Sequence, residues 1–266
     1  AVSATMPAPV LKRSTFRLQA GQELPQREIV GALQRAGYVR RDFVEGICQY
    51  SVRGGIIDFY SPQLSMPVRV ELWGDTIDTI STFDIVSQRR QDTMKAVGIL
   101  PAAEVLAEDP QRLADTLEAL LEKEKNEAKA DTIRRDLDAL RTDREPPCPD
   151  RLLPLVYGAP TVLYDYFADG LVCLCDFTAC KERMEGFCDL LKEDMVSLLE
   201  EGTLYAPHAE YARSVPRFIE DFHRNGVVFE SFPRSLHELR LGTLADVHAA
   251  TNSGWSGKLS ALTEEL

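Results

Sequence analysis

Six cysteines and four histidines are the side chains in this chain that could bind a metal or act as nucleophile and base. The cysteines stand at 48, 148, 173, 175, 180 and 188. Zinc knuckles use Cys-x-x-Cys spacing, whereas Cys173 and Cys175 flank a single residue. Residues two apart on a strand share a face, so these two are expected as buried reduced thiols, with Cys188 in the apolar stripe of a helix. A layout this poor in bridges fits a reducing, cytoplasmic compartment. His208, His223, His237 and His248 have no Cys or Ser nucleophile beside them and are expected at the surface. The acid pairs Glu200-Glu201 and Glu264-Glu265 do not share a helix face. Asn252 to Leu259 has the wrong glycine spacing for a P-loop and no hydroxyl after Lys258. No Gly-x-Ser-x-Gly elbow or His-Glu-x-x-His motif occurs. Catalysis, a metal site and a cofactor site are not expected in this chain.

The segment best suited to recognition is residues 67–73. Val68, Val70 and Leu72 fall on one side of a strand, and Arg69, Glu71 and Trp73 on the other. If the aliphatic side is core, an indole stands among charged groups outside it. Arg53, on the preceding strand, is placed to lie across from them. Trp and Arg are enriched at the energetic centres of protein interfaces. Two readings stay open on residue types alone. Either this is a docking patch for another protein, or Trp73 folds back on its own domain and Arg69 pairs with Glu71.

The elements that position this strand can be read from periodicity and turn chemistry. Residues 14–18 read as a strand. Pro25 opens a helix with Ile29, Val30, Leu33 and Ala36 on one face, stopped at Gly37. Val52 to Tyr60 read as one apolar strand, with Gly54-Gly55 near its start marking a bulge or a close backbone approach. Gly74-Asp75 reads as a hairpin turn, and residues 76–83 return with Ile77 and Phe83 on one parity and Ile80 on the other. Residues 94–100 are expected to add a strand. Asp109 as N-cap and Pro110 at the first position open a long helix running to Pro146-Pro147, with the charged run 122–129 as a solvated face or an exposed corner. Residues 161–164 and 171–175 read as strands, the second buried on both faces. Met184 to Leu199 form a helical stripe closed by Gly202, residues 208–224 read as helix, and Val227 to Phe229 as a strand. This rhythm is that of an α/β layer. Residues 249–266 read as a linker or the start of a next element.

The chain has 266 residues, of which 30 are Lys or Arg and 42 Asp or Glu, a formal net charge of −12. The imbalance is local. Residues 15–101 carry ten charges of each sign, and residues 102–266 carry 18 basic against 32 acidic. Phosphate-driven nucleic-acid binding needs a basic footprint, which the second part lacks. The charge step near 101 marks a domain boundary. No apolar run is long enough to span a membrane. The start at Ala1 without methionine and the stop at Glu264-Glu265-Leu266 lead us to expect a piece of something longer.

Tyr50 to Pro62 (YSVRGGIIDFYSP), Pro67 to Ile80 (PVRVELWGDTIDTI), Phe83-Asp84 and Gln88-Arg89 together resemble the UvrB-homology region. Bacterial transcription-repair coupling factors carry that region toward their N-terminus and share it with the excision-repair protein UvrB. Ala36-Gly37-Tyr38 with Asp42 and Glu45 fits as well, and the resemblance is strong over residues 33–101. The run Phe83-Asp84-Ile85-Val86-Ser87-Gln88-Arg89 is more similar to the coupling-factor branch than to UvrB. The resemblance implies an α/β fold in which a helicase-like domain 1, a degenerate parallel layer without a nucleotide site, holds an inserted β-rich α+β domain 2. On that plan residues 1–14 end domain 1a, 15–101 are domain 2, 102–248 are domain 1b and 249–266 are a linker or the next domain. It implies that domain 2 docks the ATPase UvrA through Arg53, Arg69 and Trp73, with Glu71 orienting the arginines. Trp73 stands where the family commonly has Phe. Gly54, Gly55, Asp58, Gly74 and Asp75 are implied as backbone-shaping positions. The parent so implied is an ATP-dependent DNA translocase, using ATP and Mg, whose contacts with RNA polymerase and DNA lie C-terminal to this piece. A fragment of UvrB is the alternative, and a nucleotide- or DNA-binding enzyme domain the alternative of another class.

Overall fold

The computed structural model describes residues 2–142, 144, 146–167, 169–206, 208–231, 236–245 and 247. The chain divides into two units, Ala1–Ser231 and Phe232–Leu266. The described residues of the second form no helix or strand. The expected linker 249–266, the run 252–259 and His248 lie outside the described residues.

Ten strands and seven α-helices make up the described part of the first unit. A short helix α1 (Ala8–Ser14) leads into β1 (Phe16–Gln19) and α2 (Gln26–Arg35). Six strands follow: β2 (Val39–Arg40), β3 (Gln49–Arg53), β4 (Ile56–Phe59), β5 (Val68–Trp73), β6 (Thr76–Phe83) and β7 (Arg90–Met94). They form one sheet in sequence order, antiparallel except for the β2–β3 pair. β8 (Ala96–Ile99) pairs antiparallel with β1. One side of the six-stranded sheet packs on α2 and the β1–β8 pair through Leu18, Ile29, Leu33, Ile57, Phe59, Val70 and Ile99. Alternation along β5 sends Val68 and Val70 to this core and Arg69 and Glu71 to the opposite side.

Two expectations change here. Residues 52–60 are not one strand. Gly54-Gly55 is the two-residue turn of the β3–β4 hairpin, with Arg53 opposite Ile56. Gly54 takes φ +58 and Gly74, in the β5–β6 turn, φ +61, a conformation glycine adopts without steric cost. The close approach does exist: a Cβ on Gly55 would sit 2.9 Å from the Leu72 carbonyl oxygen. The simple parity of β6 also fails. The register shifts between Glu71 and Leu72, leaving Asp78 as an extra residue, so Ile77 and Ile80 both reach the core.

After residue 101 the architecture is helical with a small parallel sheet. α3 (Pro110–Leu121) is capped by Asp109, whose Oδ1 accepts from Arg112 N at 3.1 Å. The chain then breaks, and α4 (Glu127–Arg141) restarts under the cap of Asn126. The single long helix is therefore two helices joined at the charged corner. They pack through Leu113, Leu117, Ile133 and Leu137. Asp136, fully buried, is held by Arg151 at 2.5 and 2.8 Å and by the Tyr205 hydroxyl at 2.8 Å. Burial and this carboxylate push the Tyr205 phenol far up. α5 (Leu153–Tyr157) follows.

β9 (Val172–Cys175) and β10 (Gly226–Phe229) pair in parallel, flanked in sequence by α6 (Phe177–Glu200) and α7 (Val215–Asn225). Residues 161–164 are not a strand: Thr161 makes one bridge to Thr5, and Leu163–Phe167 is a 3-10 turn. Helix 208–224 begins only at Val215. The thiols are less buried than expected. Cys148, Cys173 and Cys175 are exposed, and Cys48, Cys180 and Cys188 half-buried. A two-stranded sheet leaves alternate side chains of β9 open, so its apolar run does not mean burial on both faces.

Candidate functional site

The polar side of the six-stranded sheet is ordered by register. Ser51, Asp58, Arg69, Ser81 and Thr93 form one row across five strands. Asp58 stands in this row between Ser51 and Arg69, with a side chain only 1% exposed. Its carboxylate accepts from Arg69 Nε at 2.7 Å and Nη2 at 2.9 Å, a side-on bidentate pair. It also accepts from Arg53 Nη2 at 2.6 Å. The Arg69 guanidinium lies over the Phe83 ring, 4.6 Å from its centroid, and donates to the Gln88 carbonyl and Oε1 at 3.2 Å each. The hydrogen bonds that Arg69 donates to Asp58 hold its pKa above the usual range. Arg53 packs on Phe43, 4.9 Å from the ring centroid, and reaches Ser51 Oγ. Glu71 pairs with Arg90 and accepts from Thr79 Oγ1.

The named candidates thus fall into different positions. Trp73, beside the β5–β6 turn, is 84% exposed. The Arg53 side chain is 34% exposed and Arg69 13%. Arg53 is not across from Arg69. β4 stands between their strands, and Asp58 joins them. Glu71 was expected to orient the arginines, and the structure gives that task to Asp58. Asp58 is correspondingly no mere backbone-shaping residue. Gly54, Gly55 and Gly74 do shape turns, and Asp75 contributes its carbonyl, which accepts from Leu24 N at 2.6 Å.

Sequence reasoning missed Phe43, Gln88 and Arg90 as partners of this face. The signal for Asp58 was present: a two-residue turn at Gly54-Gly55 fixes the β3–β4 register, and the spacing to β5 then sets an acid opposite Arg69. For Gln88 no such signal exists, because it reaches Arg69 from a left-handed turn position, φ +57.

An apolar groove of about 560 Å³ lies elsewhere, lined among others by Leu163, Phe167, Val172, Leu174 and Phe187. Arg183 is the sole charged residue in its lining, and it shares no residue with the polar face. It lacks the convergent polar groups of a nucleotide cradle. Among the described residues no helix is long and apolar enough to cross a membrane.

Residues 16–104, which contain the whole six-stranded sheet, match the family model of the UvrB interaction domain. The chain carries a UvrB-homology region. It is 34% identical over 172 residues to the transcription-repair-coupling factor of Myxococcus xanthus, covering 65% of this chain and 14% of that protein. It is 27% identical over 276 aligned positions to that of Bacillus subtilis, covering 98% of this chain and 23% of that protein. A Staphylococcus epidermidis coupling factor is 30% identical over 207 residues, 74% of this chain and 18% of its own length. The chain therefore spans roughly a seventh to a quarter of the relatives it matches. The UvrB interaction domain supplies both the Asp58 network and the exposed indole, so the polar face is a feature of this domain and not of the helical part.

Proposed function

We propose that this chain is the UvrA-recruiting adaptor portion of a transcription-repair coupling factor, docking UvrA on the polar face of its UvrB interaction domain. The observation that carries this reading is Trp73, an indole 84% exposed beside a network of ordered charges. A tryptophan left in water at the rim of a rigid sheet forfeits apolar burial that a partner can restore. Arg53 offers the partly open guanidinium of the same face. Arg69 serves by holding that face together.

The domain plan follows from the same reading: a β-rich domain 2, residues 15–101, inserted in a helicase-like domain 1. Support comes from the first residues. Met6 and Val10 pack with Leu106, Arg13 pairs with Glu108, and Ser3 and Thr5 bridge to Ala212 and Thr161, so the segments on either side of the insert meet. The parent would be a cytoplasmic ATP-dependent DNA translocase that displaces stalled RNA polymerase. ATP, Mg, polymerase and DNA belong to its other parts, and no residue of this chain is assigned to them or to catalysis.

Calorimetry of this chain with purified UvrA tests the proposal. Saturable binding that Trp73→Ala weakens at least tenfold, and Arg53→Ala weakens as well, is the expected result. Unchanged binding by both folded variants rejects the site.

A further inference from the structure

We infer that the turn 84–89 is a second contact of the docking face, presenting Val86 to the partner, and that Arg69 is a positioning residue for that turn. This rests on the docking reading above.

Val86 is 92% exposed. It does not sit on a loose loop. Asp84 Oδ1 accepts from both the Ser87 amide and the Ser87 hydroxyl at 2.7 Å. Gln88 N donates to the Asp84 carbonyl at 2.8 Å, Asp84 N to the Arg89 carbonyl at 3.0 Å, and Gln88 Nε2 to the Ile85 carbonyl at 2.7 Å. Gln88 itself is held at φ +57, where a residue with a side chain is seldom found. The strained Gln88 supplies acceptors to Arg69, but the hydrogen bonds that fix the β-branched Val86 return it almost no burial within this domain. They are what a preorganised contact requires, since the ordering cost of binding is met in advance.

The turn is on the docking side. Gln88 accepts from Arg69 through its carbonyl and its Oε1, and Arg69 shares its side of β5 with Glu71 and Trp73. Strand rise separates Arg69 from Trp73 by about 13 Å. Val86 and Trp73 thus mark two ends of one stretch, with Glu71 and Arg90 between and Arg53 two strands to one side on β3, a span that fits one side of an ordinary protein interface. The complementary surface on the partner would hold an aromatic slot and a shallow apolar recess for a small branched side chain, joined by polar groups. The bidentate Asp58–Arg69 pair, on β4 and β5, the two strands that precede β6 in the sheet, fixes the recess-filling residue in register with the indole.

The experiment measures UvrA binding and thermal melting for Val86→Asp, Val86→Ala, Gln88→Gly and the double variant Val86→Ala/Gln88→Gly, with Trp73→Ala as reference. Gln88→Gly keeps the left-handed backbone and removes the Oε1 acceptor, so it tests the Arg69 link without emptying the buried charge pair. Val86→Asp should weaken binding tenfold or more with an unchanged melting temperature. Gln88→Gly should weaken binding less than fully additively with Val86→Ala, because both act through one contact. If Val86→Asp binds within twofold of the parent while Trp73→Ala does not bind, the turn is overturned and the docking face survives. Fully additive effects of Gln88→Gly and Val86→Ala overturn the positioning role. If Trp73→Ala, Arg53→Ala and Val86→Asp all bind as the parent does, the docking reading fails and this inference with it.

Discussion

Asp58 and Arg69 face each other across β4 and β5 in a side-on pair, Oδ1 to Nε at 2.7 Å and Oδ2 to Nη2 at 2.9 Å, on the polar side of the sheet. The pair is almost out of water, with side-chain exposures of 1% and 13%. A buried pair contributes little over an apolar replacement, but removing one member strands the other. Asp58→Ala leaves Arg69 and Arg53 without their shared acceptor. We expect it to lower stability by about 3–5 kcal/mol, read as a shift of the urea midpoint at constant slope. Arg69→Ala should cost less than Asp58→Ala, since Arg53 still neutralises the carboxylate. The opposite order would show that Asp58 is not the hub of the face.

Gly55 is a packing requirement, unlike its neighbour. A Cβ at Gly55 meets the Leu72 carbonyl oxygen at 2.9 Å, and Leu72 N donates to the Gly55 carbonyl at 2.8 Å, so the two strands cannot separate without losing a ladder bond. Gly55→Ala is expected to destabilise by about 1–3 kcal/mol through overpacking. At Gly54 a Cβ meets nothing within 4 Å and only the φ of +58 is at issue, so Gly54→Ala should cost about 1 kcal/mol. Chemical denaturation of both variants decides between a steric and a purely conformational role.

Much of this face is legible in the sequence, because turn chemistry and period-two alternation are local. Residues 67–73 alternated by type, and Gly74-Asp75 announced the turn that leaves Trp73 at the rim. The strand containing Gly54-Gly55 was misread because both flanks are apolar, which hides a two-residue turn inside one hydrophobic run. The Asp78 bulge was illegible because Ile77 and Ile80 satisfy the core only after a register shift. Cys173 and Cys175 misled for another reason. A continuous apolar strand signals burial in a wide sheet, and among the described residues β9 has a single neighbour, β10. Gln88 stands in the run that carries the family resemblance, but its contact with Arg69 is not legible there, since it depends on a left-handed backbone that glutamine rarely adopts.

Ser81 stands opposite Arg69 in the same row, yet its Oγ is buried with no hydrogen-bond partner among the described residues. A buried hydroxyl that bonds to nothing carries its desolvation cost uncompensated. Ser81→Ala should therefore be neutral or stabilising by up to about 1 kcal/mol, and should leave UvrA binding unchanged. A loss of stability in thermal melts would mean that the hydroxyl is satisfied in solution.

Asp84 links the docking turn to pH. The Ser87 amide, then the Ser87 hydroxyl, hold its carboxyl below the ordinary aspartate range. Its folded pKa is depressed, so the bracing is fully present above the unfolded value and is lost as pH falls through the folded one. At neutral pH the turn is braced. Below the usual carboxylate range the Ser87 bonds weaken, the turn loosens, and Val86 is released from its fixed position. Carbon-detected NMR titration should show the Asp84 carboxyl midpoint below the ordinary aspartate range, together with a matching shift of the Ser87 amide proton. Asp84→Asn keeps one acceptor oxygen but no charge. It should abolish that titration of the Ser87 amide and weaken UvrA binding severalfold at neutral pH. A Ser87 amide that titrates as before in the Asn variant would show that another group holds the turn.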